Sequence, residues 1–172
     1  LACAERSKVA VFDEDLNEIW SYPCKWPYGA ERMANGNYLT TCSYKQNRII
    51  EVTPEKEVVR EITVESPHSA RPLDNGNVLV TATGWTEVRE IDPQGKTVWK
   101  LATADQNQAK GRWLDFFEDA SRLENGNTLA VESVTAPEVG HTYVVAEFNS
   151  AGKRVWEWVT NCKLVTFIQA LD

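Results

Sequence analysis

The stretch Ala70-Arg71-Pro72-Leu73-Asp74-Asn75-Gly76-Asn77-Val78-Leu79 contains the pattern that decides the fold, because versions of it occur three times in the chain. Its centre, Asn-Gly-Asn, returns at 35–37 and 125–127, each time with a hydrophobic residue two positions before it and Leu two positions after it. Asn-Gly between alternating apolar residues is a strong hairpin signal, because both central residues of a type I′ turn need positive φ. We therefore predict a type I′ turn between two antiparallel strands at each triplet.

A second pattern follows each hairpin: an alternating strand, a turn, and another strand that usually carries a tryptophan. It is clearest at 92–99 (DPQGKTVW) and 149–156 (NSAGKRVW), and a similar unit precedes the first hairpin. Pro at the second turn position and Gly near the end of the turn fit ordinary β-turn chemistry. Four strands per unit, with hairpins 40 and 50 residues apart, is the arithmetic of a β-propeller blade.

The two ends of the chain complement each other. The first unit has three strands and lacks an inner one, whereas Gln169-Ala170-Leu171-Asp172 is similar to Arg71-Pro72-Leu73-Asp74 in the inner strand of another unit. We therefore expect one all-β domain, 1–172, that is a four-bladed β-propeller of four-stranded antiparallel blades, its ring closed by pairing of the C-terminal strand with the N-terminal three. The expected blades are 1–22 plus 163–172, 27–63, 67–101 and 115–160. A slice of a larger propeller is the alternative.

Charge and composition exclude several classes of protein. The 172 residues include 18 basic and 25 acidic side chains, for a net charge of −7. Neutralising a phosphate backbone needs a basic stripe and none is visible, so nucleic acid is excluded as a partner. No apolar run reaches the roughly 18 residues of a transmembrane helix.

The cysteines lack the paired close spacing of a zinc site, so we expect no metal. Leu1-Ala2-Cys3 resembles the end of a lipoprotein signal, but its alignment with 39–42 favours the start of a β-strand. Cys24 and Cys162 lie at matching places after tryptophan-containing strands, and a closed ring would bring them together. A disulfide between them is one of several pairings left open, together with free buried thiols.

The repeats resemble the pyrroloquinoline-quinone-like propeller repeats of bacterial secreted proteins and lipoproteins, whose tryptophan-docking turn is similar to 92–99 and 149–156. The stretch from His68 to Asn77 is similar to arylsulfotransferase-type propellers, in which a histidine precedes the Asn-Gly-Asn hairpin. The resemblance covers almost the whole chain apart from the polar insertion Ala102 to Gly111. It implies an extracytoplasmic protein that is secreted, periplasmic or lipid-anchored. The acidic calcium ligands of the quinone dehydrogenases have no counterpart here, so we expect no cofactor.

Several repeated residues are expected to pack rather than to bind. Trp20, Trp99 and Trp156 recur at one blade position, with Val59 in their place in the second blade, and are predicted as inter-blade core. Trp158, two residues after Trp156, points the same way along its strand. Small residues are expected in the crowded inner strands near the axis, where Ala30, Ala70 and Ala120 recur and Ile168 takes the place in the closing strand.

Aromatic and ionisable residues outside the repeated positions fall in connections that should open on one face around the central channel. Loops on a rigid scaffold and concave aromatic surfaces with a few polar groups are the usual binding sites. Structural alternatives stand beside this: a loop tryptophan can cover the core, His68 can bond a neighbouring blade, and Glu118-Asp119 with Arg122 or Glu31-Arg32 with Arg71 can form ion pairs. The predicted ligand-binding residues are Trp26, Tyr28, His68, Trp85, Trp113, Glu118 and His141.

The first functional hypothesis is a binding or interaction module, which holds a small ligand, a glycan or a partner protein on this aromatic axial face. A second copy of the chain is a further candidate partner. The alternative is a lyase, hydrolase or sulfotransferase-like enzyme with His68, Arg71 and Glu118 as its catalytic residues. The sequence has no Gly-x-Ser-x-Gly elbow, phosphate loop or histidine-rich metal motif, and so favours binding over catalysis.

Overall fold

The computed structural model describes residues 2–4, 7–43, 45–83, 85–138, 140–160, 165 and 168, the first three by their backbone alone. Within them, fifteen strands and one short helix, α1 (Ala104–Gln108), follow the chain. The first sheet contains β1 (Ala2–Ala4), β2 (Lys8–Phe12) and β3 (Glu18–Pro23), and the second contains β4 (Ala30–Arg32), β5 (Tyr38–Cys42), β6 (Arg48–Val52) and β7 (Val58–Thr63). The third sheet contains β8 (Pro67–Pro72), β9 (Val78–Ala82), β10 (Glu87–Ile91) and β11 (Thr97–Ala102), and the fourth β12 (Trp113–Arg122), β13 (Thr128–Ala136), β14 (Gly140–Phe148) and β15 (Arg154–Val159).

Every sheet is an antiparallel meander whose strands lie in chain order, so the predicted all-β fold of antiparallel propeller blades is confirmed; three of the sheets have four strands, and the first has three within the described residues. Residues 2–4 pair with β2 as a strand, as the alignment of Cys3 indicated. The predicted closing strand, 163–172, lies outside the described residues except for Val165 and Ile168. No helix in the part of the chain that the structure describes is long and apolar enough to cross a membrane.

The core consists of layers between consecutive blades. Successive residues of a strand point to opposite faces, so Tyr38 of β5 packs toward the first blade and Leu39 toward the third. The third and fourth blades enclose the largest layer, in which Leu101 meets Phe117 and Phe148. Because β5 and β9 are buried along their whole length, they read as continuous apolar or threonine runs.

The three hairpins form at the predicted places but with a different turn. In the first, the Gly36 N–H donates to the Met33 carbonyl at 2.9 Å, and the Met33 N–H donates to the Asn37 carbonyl at 2.8 Å. Gly36 has a φ of 86°, whereas Asn35 is not among the residues with positive φ. The prediction of type I′ turns was therefore wrong: each hairpin has a three-residue loop in which only the glycine is left-handed.

The two asparagines of each triplet hold the third strand of their blade. Asn35 and Asn37 donate their side-chain amides to Glu51 Oε1 at 2.9 and 2.6 Å. The same pair of bonds reaches Glu90 in the third blade and Glu147 in the fourth. The triplet therefore forms the turn and also binds the third strand of its blade. Each of the three triplets has its own glutamate partner, Glu51, Glu90 or Glu147.

One position of the outer strand reaches the next blade, and the strand register identifies it. Trp20, Trp99 and Trp156 pair across to the third strand, and the equivalent residue in the second blade is Arg60, which pairs with Glu51. The prediction of Val59 was therefore wrong, and that side chain is 56% exposed. Trp20 Nε1 donates to the Pro54 carbonyl of the second blade at 3.2 Å.

Arg60 performs the same task with a different group. Its guanidinium donates to the carbonyls of Gly76 and Asp92, both in turns of the third blade, at 3.0 and 2.9 Å. Trp99 is partly buried in the layer between the third and fourth blades and lies under the Arg122 guanidinium at 4.3 Å.

Trp156 departs from its predicted role. It is 50% exposed and Trp158 is 53% exposed, and both lie on the same face of the fourth blade, as their spacing predicts. The cluster of Val131, Tyr143 and Val145 on that face is covered by Leu129 of the same blade, and the described residues from outside the blade that pack against it are Val165 and Ile168. Trp156 therefore has no described blade to pack against.

A disulfide joins the first blade to the second. Cys24, just after β3, is bonded to Cys42 at the end of β5, with their Cα atoms 5.4 Å apart. The pairing of Cys24 with Cys162 is thereby excluded. The bond fixes the connection that carries Trp26 and Tyr28 between its two ends.

The polar insertion 102–111 contains α1, which the sequence did not indicate. The Thr103 hydroxyl donates to the buried Glu132 of β13, and Asn107 donates to the same oxygen at 2.8 Å. Arg154 of β15 pairs with Glu132 at 2.9 Å. The insertion is therefore fixed to the fourth blade by a buried polar network.

Candidate functional site

Tyr28, His68 and Glu118 occupy one repeat position in three consecutive blades. Each stands two residues before the repeated inner-strand alanine, at 30, 70 and 120. Because inner strands surround the axis of a propeller, this position converges there. The Tyr28 and His68 rings have centroids 4.1 Å apart, and His68 Nε2 lies 3.2 Å from Glu118 Oε2.

Both ring nitrogens of His68 face Glu118. Nδ1 lies 2.7 Å from the Glu118 backbone carbonyl, and since a carbonyl only accepts, Nδ1 donates the proton. The contact between Nε2 and the Glu118 carboxyl therefore needs one further proton shared between the two groups. Both side chains are buried, at 8% and 5% exposure.

Burial sets the protonation of this pair. It raises the pKa of Glu118 to about 7, and the Asp119 charge adds to the effect. Burial also lowers the pKa of His68, against the opposing effects of the Glu118 carbonyl and Asp119. Both shifts favour the uncharged forms, so below about pH 7 the Glu118 carboxylic acid donates to a neutral imidazole.

Arg71 ties three blades together beside this pair. Its Nε and Nη2 donate to the two oxygens of Asp119 at 3.2 and 2.6 Å, and its Nη1 donates to Glu31 at 2.9 Å. The Ile168 carbonyl accepts a further bond from Nη2 at 3.0 Å. The expected ion pair of Arg71 with Glu31 is thus present, whereas Arg122 pairs with Glu90 instead of with Glu118 or Asp119.

A cavity of about 180 Å³, here the axial cavity, opens where these groups meet. A shallower cleft of about 380 Å³, here the Trp26 cleft, adjoins it, and Tyr28 belongs to both. The axial cavity is lined by Tyr28, Gly29, Ala30, Glu31, Thr41, His68, Ser69, Ala70, Arg71 and Asp119. The Trp26 cleft is lined by Trp26, Tyr28, Ser43, Ser66 and Thr83.

The backbone at Trp26 is strained. Trp26 has a φ of 50°, and Ser66, its equivalent in the next blade, has a φ of 47°. Left-handed backbone is an outlier for a bulky side chain and costs roughly 1–3 kcal/mol. The structure maintains this geometry beside the cleft with the Trp26 ring 44% exposed.

The remaining predicted site residues lie elsewhere. Trp85 is partly buried against the core between the second and third blades, with the Arg89 guanidinium 3.7 Å from its ring. Trp113 of β12 and His141 of β14 are the cross-strand partners of Thr135 on its two sides in the fourth blade. His141 Nε2 lies 2.8 Å from Ser133 Oγ. None of the three lines the axial cavity or the Trp26 cleft.

Some residues that line the axial cavity were missed. Thr41 and Ser69 were not predicted, and Glu31 and Asp119 were considered only as partners in ion pairs. Ser69 and Asp119 share one repeat position with Gly29, directly before the inner-strand alanine. Comparison of the residues directly before that alanine in each blade would have identified Ser69 and Asp119.

Comparison with known proteins supports the fold and gives no family. Neither a protein-family model nor a curated protein sequence matches the chain. A protein of unknown function from Bacteroides caccae is similar in structure, with a TM-score of 0.68 and 18% identity over 93% of this chain and 62% of its own. A catalytically inactive histidine-to-alanine variant of virginiamycin B lyase from Staphylococcus aureus, solved with quinupristin, has a TM-score of 0.58 and 15% identity over 91% of this chain and 50% of its own.

These neighbours and the blades define the chain as a β-propeller repeat protein. At such low identities the likeness shows the fold alone. The chain spans 62% and 50% of the lengths of these two structures.

Proposed function

We propose that the protein is a binding module that holds a small, hydroxyl-bearing ligand, such as the end of a glycan, in the axial cavity. The observation that carries the proposal is the convergence of polar groups from three blades beside Tyr28, which is 50% exposed. A concave site with an aromatic wall and a few converging polar groups is the usual form of a ligand site. Tyr28 offers a flat apolar face for a sugar ring, and Glu31, Thr41 and Arg71 surround it with polar atoms.

The size of the cavity limits the ligand. At about 180 Å³ it is smaller than the roughly 300–1,000 Å³ of pockets for drug-sized molecules. The axial cavity therefore suits one small unit. The Trp26 cleft continues from Tyr28 and offers room for a second unit of a chain-like ligand.

The hydrogen bonds of His68 favour binding over catalysis. A general base needs a free ring nitrogen within reach of the proton that it removes. Both nitrogens of His68 already face Glu118, at 2.7 and 3.2 Å, and Arg71 is engaged by Glu31, Asp119 and Ile168. A lyase, hydrolase or sulfotransferase-like reaction at this site would first have to break these contacts.

We further propose that the chain belongs with the pyrroloquinoline-quinone-like and arylsulfotransferase-like repeats, and that it works outside the cytoplasm. The docking of Trp20 and the Asn-Gly-Asn hairpins support the first proposal. The disulfide between Cys24 and Cys42 supports the second, because such bonds persist mainly in oxidising compartments.

A glycan array with the wild-type protein and two variants tests the binding proposal. We expect Tyr28→Ala to abolish binding with little change in melting temperature, because its half-exposed ring contributes more to the cavity wall than to the core. Trp113→Ala is the matched control, since it removes a 56% exposed aromatic ring that lines neither cavity. Binding that survives Tyr28→Ala, or that is lost equally in Trp113→Ala, would contradict the proposal.

A further inference from the structure

We propose that the axial cavity recognises a protonated amine on a small polar ligand, such as an amino sugar, with Glu31 as its counter-ion and Tyr28 as its aromatic wall. The inference rests on the proposed function and names the class of ligand that the cavity selects. It depends on which charged groups of the cavity already have hydrogen-bond partners and which can still accept a hydrogen bond from a ligand.

Among the described residues that line the axial cavity, Arg71 is the one cation, and its hydrogen-bond donors are already engaged. Nε, Nη1 and Nη2 all donate to Glu31, Asp119 or the Ile168 carbonyl. The Arg71 side chain is only 13% exposed. An anionic ligand would have to displace a carboxylate from Arg71, at the cost of leaving that buried charge unpaired.

The carboxylates outnumber this cation. Of the described lining residues, Glu31 and Asp119 carry two negative charges against the one positive charge of Arg71, and the pair of His68 and Glu118 adds no net charge when it shares one proton. The cavity is therefore negative near neutral pH. The whole chain, at −7, contributes a field of the same sign.

Glu31 is the carboxylate with spare capacity. Asp119 is 1% exposed and accepts from Arg71 through both oxygens, whereas Glu31 is 37% exposed and accepts through Oε1 alone. Within the described part of the chain no donor reaches Glu31 Oε2. An ammonium brings three N–H donors and a positive charge to such an oxygen.

Tyr28 adds a second attraction for the same group. Its ring lines the axial cavity, and a cation within about 6 Å of an aromatic centroid is attracted to the ring face. A neutral sugar of the same shape would gain the stacking but would offer Glu31 only an uncharged hydroxyl donor, which makes a weaker hydrogen bond than an ammonium. A sugar acid would be repelled by Glu31 and Asp119.

Three monosaccharides of matched shape separate these cases. Isothermal titration of the whole chain at low salt with glucosamine, glucose and glucuronate should give tightest binding for glucosamine. We expect an advantage of about tenfold over glucose, the size of one charge-assisted hydrogen bond. Glucuronate should not bind measurably, and added salt should reduce the advantage of glucosamine.

A pair of charge-matched variants identifies the counter-ion. Glu31→Gln keeps an oxygen for Arg71 but removes the negative charge, and it should therefore lose the advantage of glucosamine over glucose. Glu124→Gln, which removes one acidic charge at an exposed position in the hairpin of the fourth blade and outside the cavity, should keep that advantage.

The outcomes distinguish the inference from the proposed function. Equal affinity for glucosamine and glucose, or an advantage that survives Glu31→Gln, overturns the amine inference and leaves the binding proposal standing. A positive glycan array together with no binding of glucosamine also overturns the inference. A negative array and no binding of any of the three sugars overturns the proposed function itself.

Discussion

Glu118 shows how one buried side chain can determine a property of the whole fold. Its carboxyl is enclosed beside His68, with 5% of its side chain exposed, and its pKa is raised to about 7 chiefly by burial. The folded protein therefore retains a proton that the unfolded chain releases near pH 4.5. Because the folded state binds more protons between these two values, the free energy of unfolding should fall as the pH rises across that window.

Glu118→Gln should remove this dependence, because a neutral amide has no proton to lose. We expect the stability difference between wild type and Glu118→Gln to shift against the wild type as the pH rises from about 4.5 to 7. Urea unfolding at several pH values measures the shift. His68, whose pKa is lowered, contributes in the opposite sense, but it is present in both proteins. Parallel stability curves would contradict the protonation assigned to the pair.

The element scale shows which patterns in the sequence translate into structure. Hairpins and blades could be predicted, because Asn-Gly-Asn and alternating strands are local signals. The docking residue of the second blade could not, because hydrophobicity suggested Val59 whereas the register selects Arg60. What matters there is a donor that reaches carbonyls of the next blade, and indole and guanidinium groups both provide one.

Arg60→Ala and Val59→Ala form a neighbouring pair that tests this assignment. Arg60→Ala removes two hydrogen bonds to the third blade and should cost about 1–2 kcal/mol of stability, reduced by its partial exposure. Val59→Ala removes an exposed side chain and should stay within about 0.5 kcal/mol of wild type. Chemical denaturation gives both values, and a larger loss for Val59→Ala would restore the original alignment.

The candidate site, like the blades, could be predicted from the sequence only in part. Tyr28, His68 and Glu118 were identified singly, and the structure brings them together because they share one repeat position. Trp113 and His141 were expected beside them, but β12, β13 and β14 have 10, 9 and 9 residues, against 3 to 6 in the other blades. The extra length gives the two residues Thr135 as their cross-strand neighbour, at an end of the fourth blade. No local sequence pattern indicated that these three strands are longer than those of the other blades.

At the scale of the molecule, blades contact their neighbours in chain order, and one covalent bond reinforces the first contact. Cys24 and Cys42 are 18 residues apart, and their disulfide closes the connection that carries Trp26 and Tyr28. The bond limits the freedom of the unfolded chain and holds the wall of the axial cavity in place. Stability and binding should therefore both depend on it.

Reduction should destabilise the protein by about 2–4 kcal/mol, as expected for a loop of this length. Denaturation with and without dithiothreitol measures the loss. A variant that carries Cys24→Ala and Cys42→Ala should match the reduced wild type and should not respond to the reductant. Equal stability of oxidised and reduced wild type would argue against the bond.

The docking contacts also decide where foreign sequence can be inserted. The exposed turns at 53–57 and 92–96 look suitable for grafting, yet their carbonyls at Pro54 and Asp92 accept bonds from Trp20 and Arg60 of the preceding blade. A peptide grafted into either turn would break the hydrogen bond from the preceding blade and so weaken the packing between the two blades. The turn at 13–17 accepts no such bond within the described residues, and Asp13 and Asn17 close it by bonding to each other. It is the place at which this scaffold should best accept a cargo loop.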